Sequence, residues 1–264
     1  MELNKIYCES NLDTMARMPD NFIDLTVTSP PYDNLRTYNG YCFDFENVAK
    51  ELFRVTKQGG VVVWVVSDAT INGSETGTSF KQALYFMQCG FNLHDTMIFR
   101  KKNPIPQIYR KRYNNEFEYM FVFSKGVVKT HNPLMVDCLH AGLELNGTTY
   151  KNYSKNEQTR EKMANPVKAQ KIKGNIWEYV VGTKQEDQEA KGHPAMFPEQ
   201  LANDHILSWS NENDLVYDPF MGSGTTAKMA HIYNRNWIGS EISAEYVELA
   251  NKRLDPYLRQ TSLF

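Results

Sequence analysis

The sequence predicts an α/β fold, a mostly parallel sheet covered by helices, and three observations carry that prediction. Over residues 1–125 short β-branched and aromatic runs alternate with amphipathic helical spacing, the pattern that strands joined by covering helices leave in a chain. The same alternation returns near residue 198. Between them, residues 126–192 are polar, Asn-rich and Lys-rich, with Gly142, Gly147, Gly174 and Gly182 as punctuation. A chain of 264 residues with 41% hydrophobic content can bury one large core, so one domain with an inserted recognition region is expected rather than two equal domains.

The run Phe22-Ile23-Asp24-Leu25-Thr26-Val27 predicts a buried strand. Phe45, Val48, Ala49, Leu52 and Phe53 fall at i, i+3, i+4, i+7 and i+8 and make one apolar helix face, which Gly59-Gly60 is expected to end. Val61-Val62-Val63-Trp64-Val65-Val66 is the next strand. Phe80, Ala83, Leu84 and Met87 repeat the helical spacing up to Gly90, and strands follow at 92–99 and 117–123. In the last third the pattern gives a helix near 198–209, a strand at 214–217, a helix from about 224, a strand at 236–240 and a helix at 243–254.

Composition narrows the function classes. Four widely spaced cysteines, Cys8, Cys42, Cys89 and Cys138, form no Cys-x-x-Cys pair, which argues against a zinc site or disulfide framework and for free thiols in a reducing compartment. The first residues lack a charged-then-apolar leader, and no apolar run approaches the roughly 18 residues of a membrane span, so a cytoplasmic protein with no membrane partner is expected. A formal net charge of −2 gives no global pull towards nucleic acid, and such contacts must come from local patches.

Two segments carry chemistry. Thr28-Ser29-Pro30-Pro31-Tyr32 follows the first buried strand. Its prolines fix their own backbone angles and bias Ser29 towards an extended form, which holds a hydroxyl, carbonyls and an aromatic ring in one arrangement. That corner suits a flat molecule with an amino group: oxygens accept from the amine and the ring stacks. The second segment, Asp218-Pro219-Phe220-Met221-Gly222-Ser223-Gly224-Thr225-Thr226, runs from a strand through a glycine turn into a helix, where backbone can approach a ligand and free N–H groups are offered. Glu241, at the end of the next strand, suits a ribose diol. A nicotinamide fingerprint competes for the turn but has Ala227 where its third glycine would stand, and no lysine follows Gly224 as a Walker loop requires.

Together these segments resemble the S-adenosylmethionine-dependent DNA amino-methyltransferases, in the class whose catalytic motif precedes the cofactor motif. Two further stretches are similar to that family, Asn115-Glu116-Phe117-Glu118-Tyr119-Met120-Phe121-Val122-Phe123-Ser124-Lys125-Gly126 and His193-Pro194-Ala195-Met196-Phe197-Pro198-Glu199-Gln200-Leu201. The resemblance implies a Rossmann-like methyltransferase fold with helices on both faces. Residues 1–125 would form its catalytic half, 126–192 its target-recognition region, 193–258 its cofactor half and 259–264 a tail. It implies that Phe220, Gly222, Gly224 and Thr225 line the cofactor, Asp218 sits at its methionine end and Glu241 accepts the ribose hydroxyls. It also implies that Lys5-Ile6-Tyr7-Cys8 completes the cofactor side of the sheet. Where relatives often carry Gly-Asp this chain has Glu9-Ser10, which leaves Ser10 or Asn11 to contact the adenine.

At the corner, Ser29 and the Pro30 carbonyl would accept the two N–H bonds of a base amine, Pro31 would stiffen the turn, and Tyr32 would stack on a base extruded from double-stranded DNA. No metal and no covalent intermediate is needed. Serine in the first position leans towards cytosine N4 as acceptor, with adenine N6 as the alternative. Arg100, Lys101, Lys102, Arg110, Lys111 and Arg112 lie in a stretch, 99–115, without an acid, and phosphate contact is their expected use. The loop 72–79 has no assigned role. Gln260-Thr261-Ser262-Leu263-Phe264 resembles the short peptide with which bacterial DNA enzymes dock on the replication sliding clamp, against the plain alternative of a chance ending. Two rivals remain at this level. A nicotinamide-dependent oxidoreductase leaves the corner unexplained, and a catalytically dead DNA-binding protein sits poorly with intact Ser29, Pro30, Tyr32 and Gly222.

Overall fold

The computed structural model describes residues 1–31, 43–104, 106, 111–142, 149–152, 159–162, 168–182 and 198–261. The chain divides into two compact units, Met1–Asn132 with Asn175–Phe264, and Pro133–Gly174. The smaller unit takes only part of the 126–192 span.

In chain order the larger unit begins with β1 (Lys5–Cys8), α1 (Asn11–Ala16), β2 (Ile23–Thr28), α2 (Phe45–Val55), β3 (Thr56–Val66), β4 (Thr70–Ile71), β5 (Ser74–Glu75), α3 (Thr78–Gln88), β6 (Asn92–Lys101) and β7 (Phe117–Ser124). The smaller unit holds β8 (Met135–Asp137), β9 (Thr149–Asn152), β10 (Thr159–Lys162) and β11 (Gln170–Ile172), paired antiparallel as β8 with β11 and β9 with β10. The larger unit resumes with β12 (Ile176–Tyr179), α4 (Glu199–Trp209), β13 (Leu215–Asp218), α5 (Thr225–Ile232), β14 (Asn236–Glu241) and α6 (Ala244–Thr261).

One sheet organises the larger unit, in the order β1-β14-β13-β2-β3-β7-β6-β12. Only β7 runs against its neighbours; every other pairing is parallel. The apolar run Val61–Val66 of β3 has a simple cause. Val62, Trp64 and Val66 join the core cluster with residues of α1, α2 and α3, while the intervening Val61, Val63 and Val65 are equally buried outside it. A strand covered on both faces reads as a continuous apolar run. Trp64 is fully buried, and its indole N–H donates to Gln82 Oε1 at 2.8 Å, so the large side chain leaves no polar debt in the core. No described helix is long and apolar enough to cross a membrane.

Three local expectations need correction. α2 ends at Val55, four residues before Gly59, because its last carbonyls are capped by side chains: Thr56 Oγ1 donates to Leu52 O at 2.6 Å and Lys125 Nζ to Phe53 O at 2.7 Å. Gly59 and Gly60 instead sit inside β3, where the step from Ile23 to Leu25 on β2 is matched by the step from Thr56 to Val61, a local bulge. On α3 the buried positions are Ser79, Gln82, Ala83 and Phe86, whereas Phe80, Leu84 and Met87 are exposed. The face turned because its polar members have partners: Gln82 holds Trp64, and Ser79 donates its backbone N–H and hydroxyl to Asp68. The loop 72–79 supplies the turn of the β4–β5 hairpin, Asn72 and Gly73 at positive φ, then β5 and the start of α3. At the other end α6 continues through Gln260 and Thr261, and Ser262, Leu263 and Phe264 lie outside the described residues. Cys8, Cys89 and Cys138 are free thiols, and Cys42 lies outside the described residues.

Candidate active site

The sheet order itself locates a crevice. From β2 the chain crosses through α2 to β3 on one side, and from β13 it crosses through α5 to β14 on the other. β13 and β2 are neighbours, so the winding reverses between them, and in open α/β sheets ligands bind beyond the carboxyl ends of the strands at such a reversal. Asp218 ends β13 and Thr28 ends β2. The two motifs singled out in the sequence therefore meet at one place, although about 190 residues separate them.

The meeting is a bond. Thr28 Oγ1 donates to Asp218 Oδ1 at 2.6 Å. The same carboxylate accepts from the Phe220 backbone N–H at 3.0 Å and from Thr226 Oγ1 at 2.8 Å, and Thr226 also reaches Val27 O at 3.2 Å. Asp218 thus ties the end of β2, the start of the glycine turn and the first turn of α5 into one unit, and Ser29 and Pro30 follow directly on the tied strand. Burial lifts the Asp218 carboxyl to about 6, against the lowering effect of its bonds from Thr28, Phe220 and Thr226.

The glycine turn is shaped by two close approaches. Gly224, at the N-cap of α5, has φ +81°, and a Cβ there would stand 3.1 Å from Ala250 Cβ of α6. A Cβ on Gly239 of β14 would meet Met221 Cε at 2.3 Å, so the missing side chain is what lets Met221 fold under the turn. Glu241, at the end of β14, accepts from Gly222 N and from Ser243 N at 2.9 Å each. Burial raises its carboxyl above the usual range, opposed by those backbone N–H groups and that of Ile242. Its position relative to the turn is thereby fixed.

On the β1 side, Ser10 caps α1, its hydroxyl accepting from Leu12 N at 3.3 Å, and the buried Asn11 donates to Pro219 O at 3.3 Å. Asn11 is the member of that pair brought to the turn. β1 occupies the sheet edge beside β14, on the cofactor side. Behind Phe220 stands an aromatic wall: its ring lies 5.2 Å from Phe43 and 6.2 Å from Trp64. Ser29 and Pro31 are half-buried and Pro30 is buried; Tyr32 lies outside the described residues.

The basic stretch is less free than its sequence implies. Arg100 pairs with Glu178 at 3.0 Å and with Glu116 at 3.7 Å, Lys101 with Glu118 at 2.8 Å, and Arg112 with Glu75 at 3.4 Å. The acids sit on β12, β7, β5 and the segment leading into β7, out of reach of a reading along the stretch alone. Lys102 and Lys111 are exposed with no ion-pair partner among the described residues, and Arg110 lies outside them. Thr28 and Thr226, to which the sequence assigned no role of their own, tie the site together; the signal for both was their place inside the two motifs.

Comparison with known proteins bears on the same residues. The N6_N4_Mtase family, described as DNA methylase, matches residues 23–252. The orphan methyltransferase M.BamHII of Bacillus amyloliquefaciens is 56% identical over 243 residues, spanning 90% of this chain and 91% of that protein. Among solved structures, the cytosine-N4-specific PvuII DNA methyltransferase aligns with a TM-score of 0.72 at 21% identity, covering 97% of this chain and 91% of that one. M1.HpyAVI in its SAM complex aligns with a TM-score of 0.60 at 23% identity over 95% of this chain and 99% of that one. At those identities the structural likeness speaks for a Rossmann-like methyltransferase fold, while the family match and the relative at 56% identity carry kinship. The chain belongs to the N6/N4 DNA methylase family of amino-methyltransferases.

Proposed function

We propose that this chain methylates the exocyclic amine of a base flipped out of double-stranded DNA, with cytosine N4 as acceptor. The observation that carries the reading is the Thr28–Asp218 bond, which fixes the Ser29-Pro30 corner to the glycine turn. The methyl donor of the family is S-adenosylmethionine, whose sulfonium supplies an activated methyl group. The residues present fit it: a turn with positive φ at Gly222 and Gly224, an ordered acid, Glu241, for a ribose diol, and Asn11 at the mouth of β1. Ser10, Phe220 and Thr225 complete the proposed cofactor contacts.

The chain's own work is positioning. A base amine is a poor nucleophile because its lone pair is delocalised into the ring. Ser29 Oγ and the Pro30 carbonyl accept its N–H bonds and leave the lone pair directed away from them. Asp218, with both oxygens engaged internally, contributes by holding the corner and the turn in register. Tyr32 is the proposed stacking platform. Serine at the first position favours cytosine, as does the likeness to a cytosine-N4-specific fold neighbour. Exposed Lys102 and Lys111, with Arg110, are the proposed phosphate contacts, and the 126–192 region the proposed reader of bases. Docking of the 260–264 ending on a sliding clamp is a separate proposal, refuted if its deletion leaves clamp binding unchanged.

Sequencing the modified bases in DNA from cells that express the chain tests the function. N4-methylcytosine in a fixed context is expected. N6-methyladenine would move the acceptor, and absence of any methylated base from DNA and of methyl transfer in vitro would refute the proposal.

A further inference from the structure

The glycine turn has a back as well as a front, and the back is held by a buried ion network that neither motif announces. Arg253, on α6, is 1% exposed. One guanidinium nitrogen donates to Ser223 O at 3.0 Å, Ser223 Oγ at 3.3 Å and Thr225 Oγ1 at 3.0 Å; the other pairs with Glu199. Glu199 opens α4 and also receives Lys228 Nζ of α5 at 2.8 Å. Lys228 lies 4.8 Å from the centre of the Tyr257 ring. Ala250, three residues before Arg253 on α6, is the side chain that crowds Gly224. One face of α6 therefore supports the turn at every residue from Ser223 to Thr225.

We infer that Arg253 is a positioning residue for cofactor binding: it holds the Ser223–Thr225 backbone from behind, and Glu199 links that support to α4. The turn lies outside the sheet ladder and depends on such donors for its shape. A planar fork supplies several donors in fixed directions, which a lysine does not. Removing one member of a buried charged network leaves the other uncompensated, so the network acts as a unit. The inference rests on the cofactor half of the proposed function alone, and not on the choice of base.

The test is calorimetric titration of S-adenosylhomocysteine into the wild type, Arg253→Lys, Arg253→Met and Glu199→Gln, with the ligand-free melting midpoint and DNA affinity of each. Folded Arg253→Met and Glu199→Gln should bind the cofactor product about ten-fold more weakly, about 1.4 kcal/mol, with Arg253→Lys between them and the wild type, and DNA affinity unchanged. The KM for S-adenosylmethionine should rise while kcat at saturating cofactor stays within about three-fold. If Arg253→Met does not fold, Glu199→Gln and Arg253→Lys decide. Wild-type affinity in folded variants, or a parallel fall in DNA affinity, would overturn the inference. A wild type that binds S-adenosylhomocysteine but methylates nothing would sink the proposed function and leave this one standing.

Discussion

Replacing Asp218 with asparagine isolates what its buried charge costs. Asp218 is 2% exposed, and burial raises its carboxyl from the ordinary 3.8 to about 6. Because the folded value lies above the unfolded one, the native state holds the proton more tightly, and stability falls as pH rises between the two values. Two units correspond to about 3 kcal/mol at neutral pH, of which roughly 2 kcal/mol develops between pH 4 and pH 6. Asparagine keeps an oxygen for Thr28 and the Phe220 N–H and presents an amide to Thr226, which retains its bond to Val27 O. Urea unfolding of both proteins from pH 4 to 7 should therefore show the wild type losing about 2 kcal/mol relative to Asp218→Asn, nearly all below pH 6, because other titrating groups cancel in the difference. A difference that stays flat across that range would refute the assignment of a protonatable, desolvated carboxyl at this position.

Three further outcomes are expected. Ser29→Ala should keep S-adenosylhomocysteine affinity and lose methyl transfer by about 100-fold or more, the scale of removing one aligned hydrogen-bonding group from a reacting centre; a filter assay with tritiated methyl donor reads it. Gly224→Ala places a Cβ 3.1 Å from Ala250 at φ +81°, so a loss of about 1–2 kcal/mol in unfolding free energy and weaker cofactor binding should appear together. Arg100→Ala should leave DNA affinity nearly unchanged because Glu178 and Glu116 already engage it, whereas Lys102→Ala should weaken binding across all sequences and reduce the salt slope by about one; fluorescence anisotropy at several salt concentrations separates them.

The parts of the fold that were legible in the sequence are those where local pattern and tertiary environment agree. The valine run of β3 and the β-branched and aromatic residues of β6 and β7 name their strands, and α2 shows its face because Val48, Ala49, Leu52 and Val55 are all buried in the core. α3 misled for a physical reason: apolarity stood for burial, but Gln82 and Ser79 are buried through bonds to Trp64 and Asp68, and the apolar Phe80 and Leu84 are left outside. Gly59-Gly60 misled because a glycine pair marks a backbone irregularity without saying whether it ends a helix or bulges a strand. The acids that engage Arg100 and Lys101 could not be read from a contiguous stretch, since cross-strand pairing supplies them. Asn11 was legible beside Ser10 only as an alternative, and its bond to Pro219 O distinguishes it. Arg253 carried no local signal at all.

The reach from Thr28 to Asp218 explains how a site can be assembled from a chain whose catalytic segment comes first. In a parallel sheet every strand delivers its carboxyl end to the same rim, so the order in which β2 and β13 are made is immaterial to what meets there. What cannot be exchanged is adjacency, because the Thr28 hydroxyl reaches Asp218 only if the two strands pair, as Val216 does with Leu25 and Tyr217 with Thr26. That pairing places a rigid proline corner and a glycine turn beside each other, and the buried carboxylate between them makes their spacing part of the core rather than of two independent loops. The charge that destabilises the ionised protein near neutral pH is therefore the same group that holds the two halves of the site in register.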